Sequence, residues 1–205
     1  ISSWSWDIEA LVGGLGDSFK IMECGMKAFP TEALTHTHLS CLLNAMIGNN
    51  LEYSDIKEVK VTCFAQAYDI LFDPTKYRPE SRETADHSLP YCMAAAMVDK
   101  KITTESFSDE KLNDPRIYEV IDKIKGEPSQ EFEKMFPAKQ PSRVVVTTND
   151  GRIFEEYLEY PKGDPREPMT MDDLKNKFNS LVGEKLDAAV KLQLKEIIFN
   201  CEQKT

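Results

Sequence analysis

From Ala33 onward the apolar positions Leu39, Leu42, Leu43, Met46 and Ile47 recur at helical spacing, which predicts a helix with one buried face, and Gly48-Asn49-Asn50 stops it. Val59, Val61 and Cys63 then alternate with Lys60 and Thr62, the two-residue period of a half-buried strand. The run from Tyr91 to Val98 is almost wholly apolar and follows Ser88-Leu89-Pro90, so it reads as a buried helix with Ser88 as N-cap and Pro90 in its first turn. Arg143–Thr148 and Arg152–Tyr160 flank Asn149-Asp150-Gly151, which predicts a β-hairpin.

The remaining segments are less regular. An amphipathic run ends in Gly13-Gly14-Leu15-Gly16, read as a helix stop, and Phe19–Lys27 reads as extended until Pro30 breaks it. Residues 73–83 are polar with two prolines and read as a loop, and 109–136 reads as a mixed helical stretch. The three prolines of 160–168 require an irregular connection. Two helices close the chain. The first opens at Thr170 with Asp173 three residues on, close to a capping box, and carries Leu174, Phe178 and Leu181 on one face. The second places Leu186, Ala189, Val190, Leu194, Ile197 and Cys201 on one face, a stripe that needs a partner surface. The expected class is α+β.

Charge narrows the function. With 205 residues and a net charge of −10, the chain repels polyanions at long range, which argues against general binding to nucleic acid or anionic membrane. No stretch approaches the roughly 20 apolar residues of a membrane span. The five cysteines are scattered without a Cys-x-x-Cys pair and point to a reduced, cytoplasmic compartment.

All three histidines fall in two short motifs. In the first, Lys27-Ala-Phe-Pro-Thr-Glu-Ala-Leu-Thr-His-Thr-His38, a lysine precedes a proline-broken turn and a helix start. That arrangement suits carboxylate binding, and the bland alternative is an exposed Lys27 with Thr35 as a cap. His36 and His38 lie two apart on a helix and point nearly opposite ways, which disfavours a shared metal. In the second motif, Ala85-Asp-His-Ser-Leu-Pro-Tyr91, a loop meets the buried helix. His87 brings an imidazole able to exchange a proton and Tyr91 in the first turn can donate a hydrogen bond, whereas a structural cap with a satisfied histidine is the alternative. Consecutive Asp86, His87 and Ser88 do not align as a hydrolase triad.

The stretch Tyr77-Arg-Pro-Glu-Ser-Arg-Glu-Thr-Ala-Asp-His-Ser-Leu-Pro-Tyr91 resembles the central signature of MmgE/PrpD proteins, the group that includes 2-methylcitrate dehydratases. Met26-Lys-Ala-Phe-Pro30, Asp150-Gly-Arg152 and Tyr160-Pro-Lys-Gly-Asp-Pro-Arg-Glu-Pro-Met-Thr170 agree in the same order. The resemblance implies a lid of antiparallel strands and packed helices over residues 27–161. Residues 1–26 and 162–205 would belong to an all-helical domain whose N-terminal half lies outside this sequence, supplied by the same protein or a partner chain. It also implies a homodimer and a lyase that uses no metal, cluster or other cofactor.

The activity implied first is dehydration of 2-methylcitrate to 2-methylaconitate. The alternatives are cis-aconitate decarboxylation, iminodisuccinate epimerisation, or a non-catalytic binding module. By resemblance, Tyr91, His87 and Lys27 are the catalytic candidates, and Lys27, Glu32, His36 and Ser88 would bind a small polycarboxylate. The cis-aconitate decarboxylases resemble this chain at Lys27-x-Phe-Pro but carry histidine where Glu32 stands. A carboxylate beside a polyanionic substrate disfavours that reaction.

Overall fold

The computed structural model describes residues 6–183 and 185–203. Its helices are α1 (Ile8–Val12), α2 (His36–Gly48), α3 (Ala65–Leu71), α4 (Arg82–Asp86), α5 (Leu89–Asp99), α6 (Asp109–Leu112), α7 (Pro115–Ile121), α8 (Gln130–Met135), α9 (Met171–Val182) and α10 (Ala188–Phe199). Its strands are β1 (Ile56–Cys63), β2 (Ile124–Pro128), β3 (Ser142–Thr148) and β4 (Ile153–Leu158). They form one sheet in the order β2-β1-β3-β4, so the α+β class holds.

The sheet is mixed rather than antiparallel. β1 pairs antiparallel with β3, and β3 with β4, but β1 runs parallel to β2 with Val59 opposite Ile124. A parallel neighbour needs a long crossover, and residues 64–123 supply it with five of the helices. This corrects the helical reading of 109–136: α6, α7 and α8 are short, and β2 interrupts them. The strand escapes notice because Ile-Lys-Gly-Glu-Pro holds a single aliphatic residue at a sheet edge. Gly126 is required there, since a Cβ would lie 2.6 Å from the Phe72 ring.

α2 packs on β3 and β4, α5 packs on β2, and α7 packs against α5, so these helices cover one face of the sheet. Val59, Val61, Val144 and Val146 meet Leu39, Leu42 and Met93 there, all fully buried. Lys57 is an extra residue in β1, where Ile56 pairs with Thr148 but Glu58 pairs with Thr147. The hairpin turns on Gly151 at φ 86°, with Thr148 N–H donating to the Arg152 carbonyl.

Other local expectations divide. Phe19–Lys27 is not uniformly extended: Lys20–Glu23 forms a 3-10 turn, tied by a Lys20–Glu23 ion pair at 3.1 Å. The 73–83 segment is more ordered than a loop, since Asp73 caps a 3-10 turn at Pro74–Tyr77 and Ser81 with Thr84 forms a capping box for α4. Thr170 and Asp173 do form the expected capping box of α9. Neither α9 nor α10 buries a residue, and Leu192, Ile197 and Ile198 of α10 stand exposed.

Candidate functional site

The segment leading into α2 is held from both ends. Pro30 bends it, and the Glu32 carboxylate accepts from Leu34 N–H at 2.6 Å, capping the 3-10 turn Ala33–Thr35 that continues into α2. The cap is therefore Glu32, while Thr35 bonds Thr31 Oγ1 and the Glu32 carbonyl, both at 2.7 Å. Lys27 Nζ donates to the Thr31 carbonyl at 2.8 Å, and Lys177 Nζ of α9 donates to the Lys27 carbonyl at 2.6 Å. Lys27 is thus fixed by its ammonium and its backbone together.

Its neighbour Lys162 arrives from the proline-rich connection. Met26 N–H donates to the Gly163 carbonyl at 2.8 Å, and Gly163 sits at φ 93° with the Met26 carbonyl where a Cβ would be. Only glycine permits that approach. Asp164 and Arg166 stiffen the turn by paired hydrogen bonds, and Arg166 stacks 4.0 Å over Tyr160.

Between the Lys27–Pro30 bend, residues 100–104 and α9 lies a cleft of about 580 Å³, lined by Lys27, Lys100, Lys101, Lys162, Lys177 and one carboxylate, Asp173. Thr170 hydrogen bonds, with Lys162 at 3.0 Å, hold Asp173 down at about 2, so it stays ionised and engaged. Among the described residues, Lys27, Lys101 and Lys177 have no carboxylate within ion-pair distance. In a chain with 35 acidic and 25 basic residues, such a collection concentrates positive charge locally against the overall field.

A second pocket of about 230 Å³ adjoins, its lining including Lys27, Lys162, Gln140, His36 and Asp164. The His36 ring packs 5.5 Å from Phe29 and is 2% exposed. Burial pushes His36 down to about 4 against the pull of the Thr31 carbonyl, with Lys27 and Lys177 lowering it further. It is neutral at neutral pH, and its Nε2 meets no protein partner among the described residues. His38 turns away into the core, with Nδ1 2.5 Å from Ser142 Oγ.

The two motifs meet where Glu32 N–H donates to the Asp86 carbonyl at 3.0 Å. The side chains of the second motif, however, serve the scaffold. Tyr91 is fully buried and its hydroxyl donates to the Ser106 carbonyl at 2.9 Å, with burial raising its pKa. Ser88 caps α5 through Tyr91 N–H and donates to the Lys76 carbonyl at 2.5 Å. His87 is half-exposed, bonded through Nδ1 to Asp86, and lines neither pocket. Glu32 lines neither pocket as well. Of the candidates, the structure brings Lys27 and His36 together. Lys100, Lys101 and Lys177 were missed, because surface lysines carry no periodic signal.

The α+β unit gathers five lysines into one cleft, three of them without a carboxylate partner among the described residues. The chain belongs to the MmgE/PrpD family: the MmgE/PrpD C-terminal domain matches residues 29–203. It is 24% identical over 204 residues to a cis-aconitate decarboxylase of Aspergillus terreus, covering 96% of this chain and 41% of that protein. It is 31% identical over 102 residues to the cis-aconitate decarboxylase of Mus musculus (50% and 21% covered) and 28% identical over 130 residues to that of Homo sapiens (60% and 26% covered). The chain thus spans about two fifths of the length of the Aspergillus relative.

Proposed function

We propose that this chain is the lid-bearing part of a lyase acting on a small polycarboxylate, with cis-aconitate decarboxylation the reaction favoured. The observation that carries the reading is the lysine cleft. The relatives support this choice of reaction, since those matched over most of the chain are cis-aconitate decarboxylases. The objection drawn from Glu32 loses its force, because that carboxylate is committed to capping and lines neither pocket. Dehydration of 2-methylcitrate is the second reading, supported by the resemblance of the 77–91 signature.

In this reading Lys27 and Lys177 clamp carboxylates that the substrate keeps, and neutral His36 orients the ligand without adding charge. Decarboxylation breaks the bond to one carboxylate, moves its electron pair into the carbon skeleton with a shift of the double bond, and takes up one proton to give a dicarboxylate and carbon dioxide. Charge is lost as carbon dioxide leaves, so cations belong on the retained carboxylates. The lid would span 27–161. The exposed apolar side chains of 6–26 and α10, including Trp6, Leu11, Phe19 and Leu192, would pack on the additional chain present in the longer relatives.

The test is an NMR assay of the native gene product with cis-aconitate and with 2-methylcitrate, beside its Lys27→Ala variant. Release of carbon dioxide from cis-aconitate, reduced at least a hundredfold by Lys27→Ala, supports the first reading. Turnover of 2-methylcitrate alone moves the assignment to the second. Turnover of neither by the wild-type product, with no binding of either, sinks both.

A further inference from the structure

Apart from Lys162, which is engaged with Asp173, two lysines of the cleft have no role in that account, and the backbone at the first of them is unusual. Lys100 occupies the C-cap of α5 at φ 55°, ψ 18°, in the left-handed region. Glycine is the usual residue there, and asparagine tolerates it, as at Asn50, the other positive-φ non-glycine among the described residues. A long cation does not require that backbone to complement a helix dipole, since any position in the last turn would serve. A lysine at a strained helix end points to a use for its side chain. Both Lys100 and Lys101 line the cleft. Lys100 lies 3.4 Å from Glu52, while exposed Lys101 has no carboxylate partner among the described residues.

The segment is also firmly held. Thr103 N–H donates to Ser106 Oγ at 3.0 Å in a capping box, and the Ser106 carbonyl receives the Tyr91 hydroxyl. Tyr91 therefore anchors the very turn that follows the two lysines.

Resting on the reading of the cleft as a polycarboxylate site, we infer that Lys100 and Lys101 form a second carboxylate subsite, presented by the Tyr91-anchored turn. The cleft then divides a ligand's carboxylates between two lips, Lys27 with Lys177 on one and Lys100 with Lys101 on the other. It selects polycarboxylates over monocarboxylates by charge placement rather than by a close-fitting pocket.

Tricarballylate, an unreactive tricarboxylate, and acetate are the probes, titrated into the full chain by NMR at several salt concentrations. Lys100→Gly with Lys101→Ser is expected to weaken tricarballylate about tenfold and to flatten its salt dependence, while acetate binding holds within about twofold. Lys27→Ala weakens both ligands. Because Lys100→Gly relieves the left-handed backbone, its melting temperature is expected to hold or rise, so weaker binding cannot be ascribed to misfolding. Lys101→Ser alone, at an exposed position, gives an independent reading of several-fold weakening. Tricarballylate affinity unchanged in the double variant but lost in Lys27→Ala overturns the subsite and leaves the functional reading intact. A wild-type chain that binds neither probe overturns the functional reading itself.

Discussion

Lys27 and Tyr91 make an instructive pair. Each comes from a histidine-bearing motif beside a helix start, and the motifs touch through the Glu32–Asp86 hydrogen bond. Yet Lys27 ends in a cleft with a single carbonyl for its ammonium and no carboxylate within ion-pair distance among the described residues, whereas the Tyr91 hydroxyl is spent on Ser106 inside the core. The difference lies in where each residue stands relative to its helix. Both helices bury their first turns, but Lys27 lies nine residues ahead of α2 on a bent segment where it stays exposed, while Tyr91 lies within the first turn of α5, which is apolar on every side. Chemistry-bearing residue types near a helix start become a site only where the preceding segment keeps them at the boundary with solvent. Inside the core they become architecture.

That contrast is broken most sharply by substitution at the two positions. Tyr91→Ala opens a cavity where α5 packs and is expected to cost about 3–5 kcal/mol of stability in urea unfolding. Tyr91→Phe leaves the buried Ser106 carbonyl without its donor and costs about 1–2 kcal/mol. Lys27→Ala should stay within about 0.5–1 kcal/mol while carboxylate binding collapses. Equal destabilisation by Lys27→Ala and Tyr91→Ala would erase the distinction between the two regions.

The next effect is a pH dependence set by the first motif's histidines. Burial holds His36 at about 4 and His38 at about 3 in the folded chain, against 6.5 unfolded. Below 6.5 the unfolded chain binds more protons, so the stability present above 6.5 is lost as pH falls toward 4 and 3. A loss of about 2–4 kcal/mol between pH 7 and pH 5 is expected in chemical denaturation at each pH. His38→Asn, which keeps a polar group near Ser142 and removes one titration, should reduce that slope by about half. An unchanged slope would show that His38 is not the group responsible.

Ser88 gives a smaller effect of the same scaffold kind. Ser88→Ala removes the α5 cap and the donor to the Lys76 carbonyl, for about 1–2 kcal/mol by thermal unfolding, with tricarballylate affinity retained once the chain is folded. Loss of affinity in the folded variant would instead return the second motif to the site.

What the sequence made legible follows the same division. The Asn149-Asp150-Gly151 turn, the Ser88 cap and the Thr170–Asp173 box are local signals, complete within a few residues, and each folds as read, while the α2 stripe buries Leu39, Leu42 and Met46 but leaves Ile47 exposed. β2 was invisible because an edge strand beside a parallel neighbour needs no alternation of its own, and only its pairing with β1 makes it a strand. The direction of Tyr91 was equally hidden: on a helix apolar all round, nothing local says whether its phenol meets solvent or a carbonyl 15 residues on. The cleft is assembled from positions 27, 100–101, 162 and 177, whose only common property in sequence is being lysine.

The finest test concerns Lys177, which lines the cleft and also holds another of its residues. Its ammonium holds the Lys27 carbonyl at 2.6 Å, tying α9 to the bend that aims Lys27. If that tie positions Lys27, Lys177→Met should weaken tricarballylate several-fold, and Lys177→Arg, which keeps a donor and a charge, should recover part of it. Charge alone would predict the same loss for any removed lysine of the cleft. The readout that separates the two is the 27–31 backbone: in Lys177→Met, amide exchange at Thr31 and Glu32 should quicken, whereas Lys101→Ser should leave it as in the wild type. Unchanged exchange in Lys177→Met would reduce Lys177 to one more charge in the cleft and leave the Thr31 carbonyl as the sole hold on Lys27.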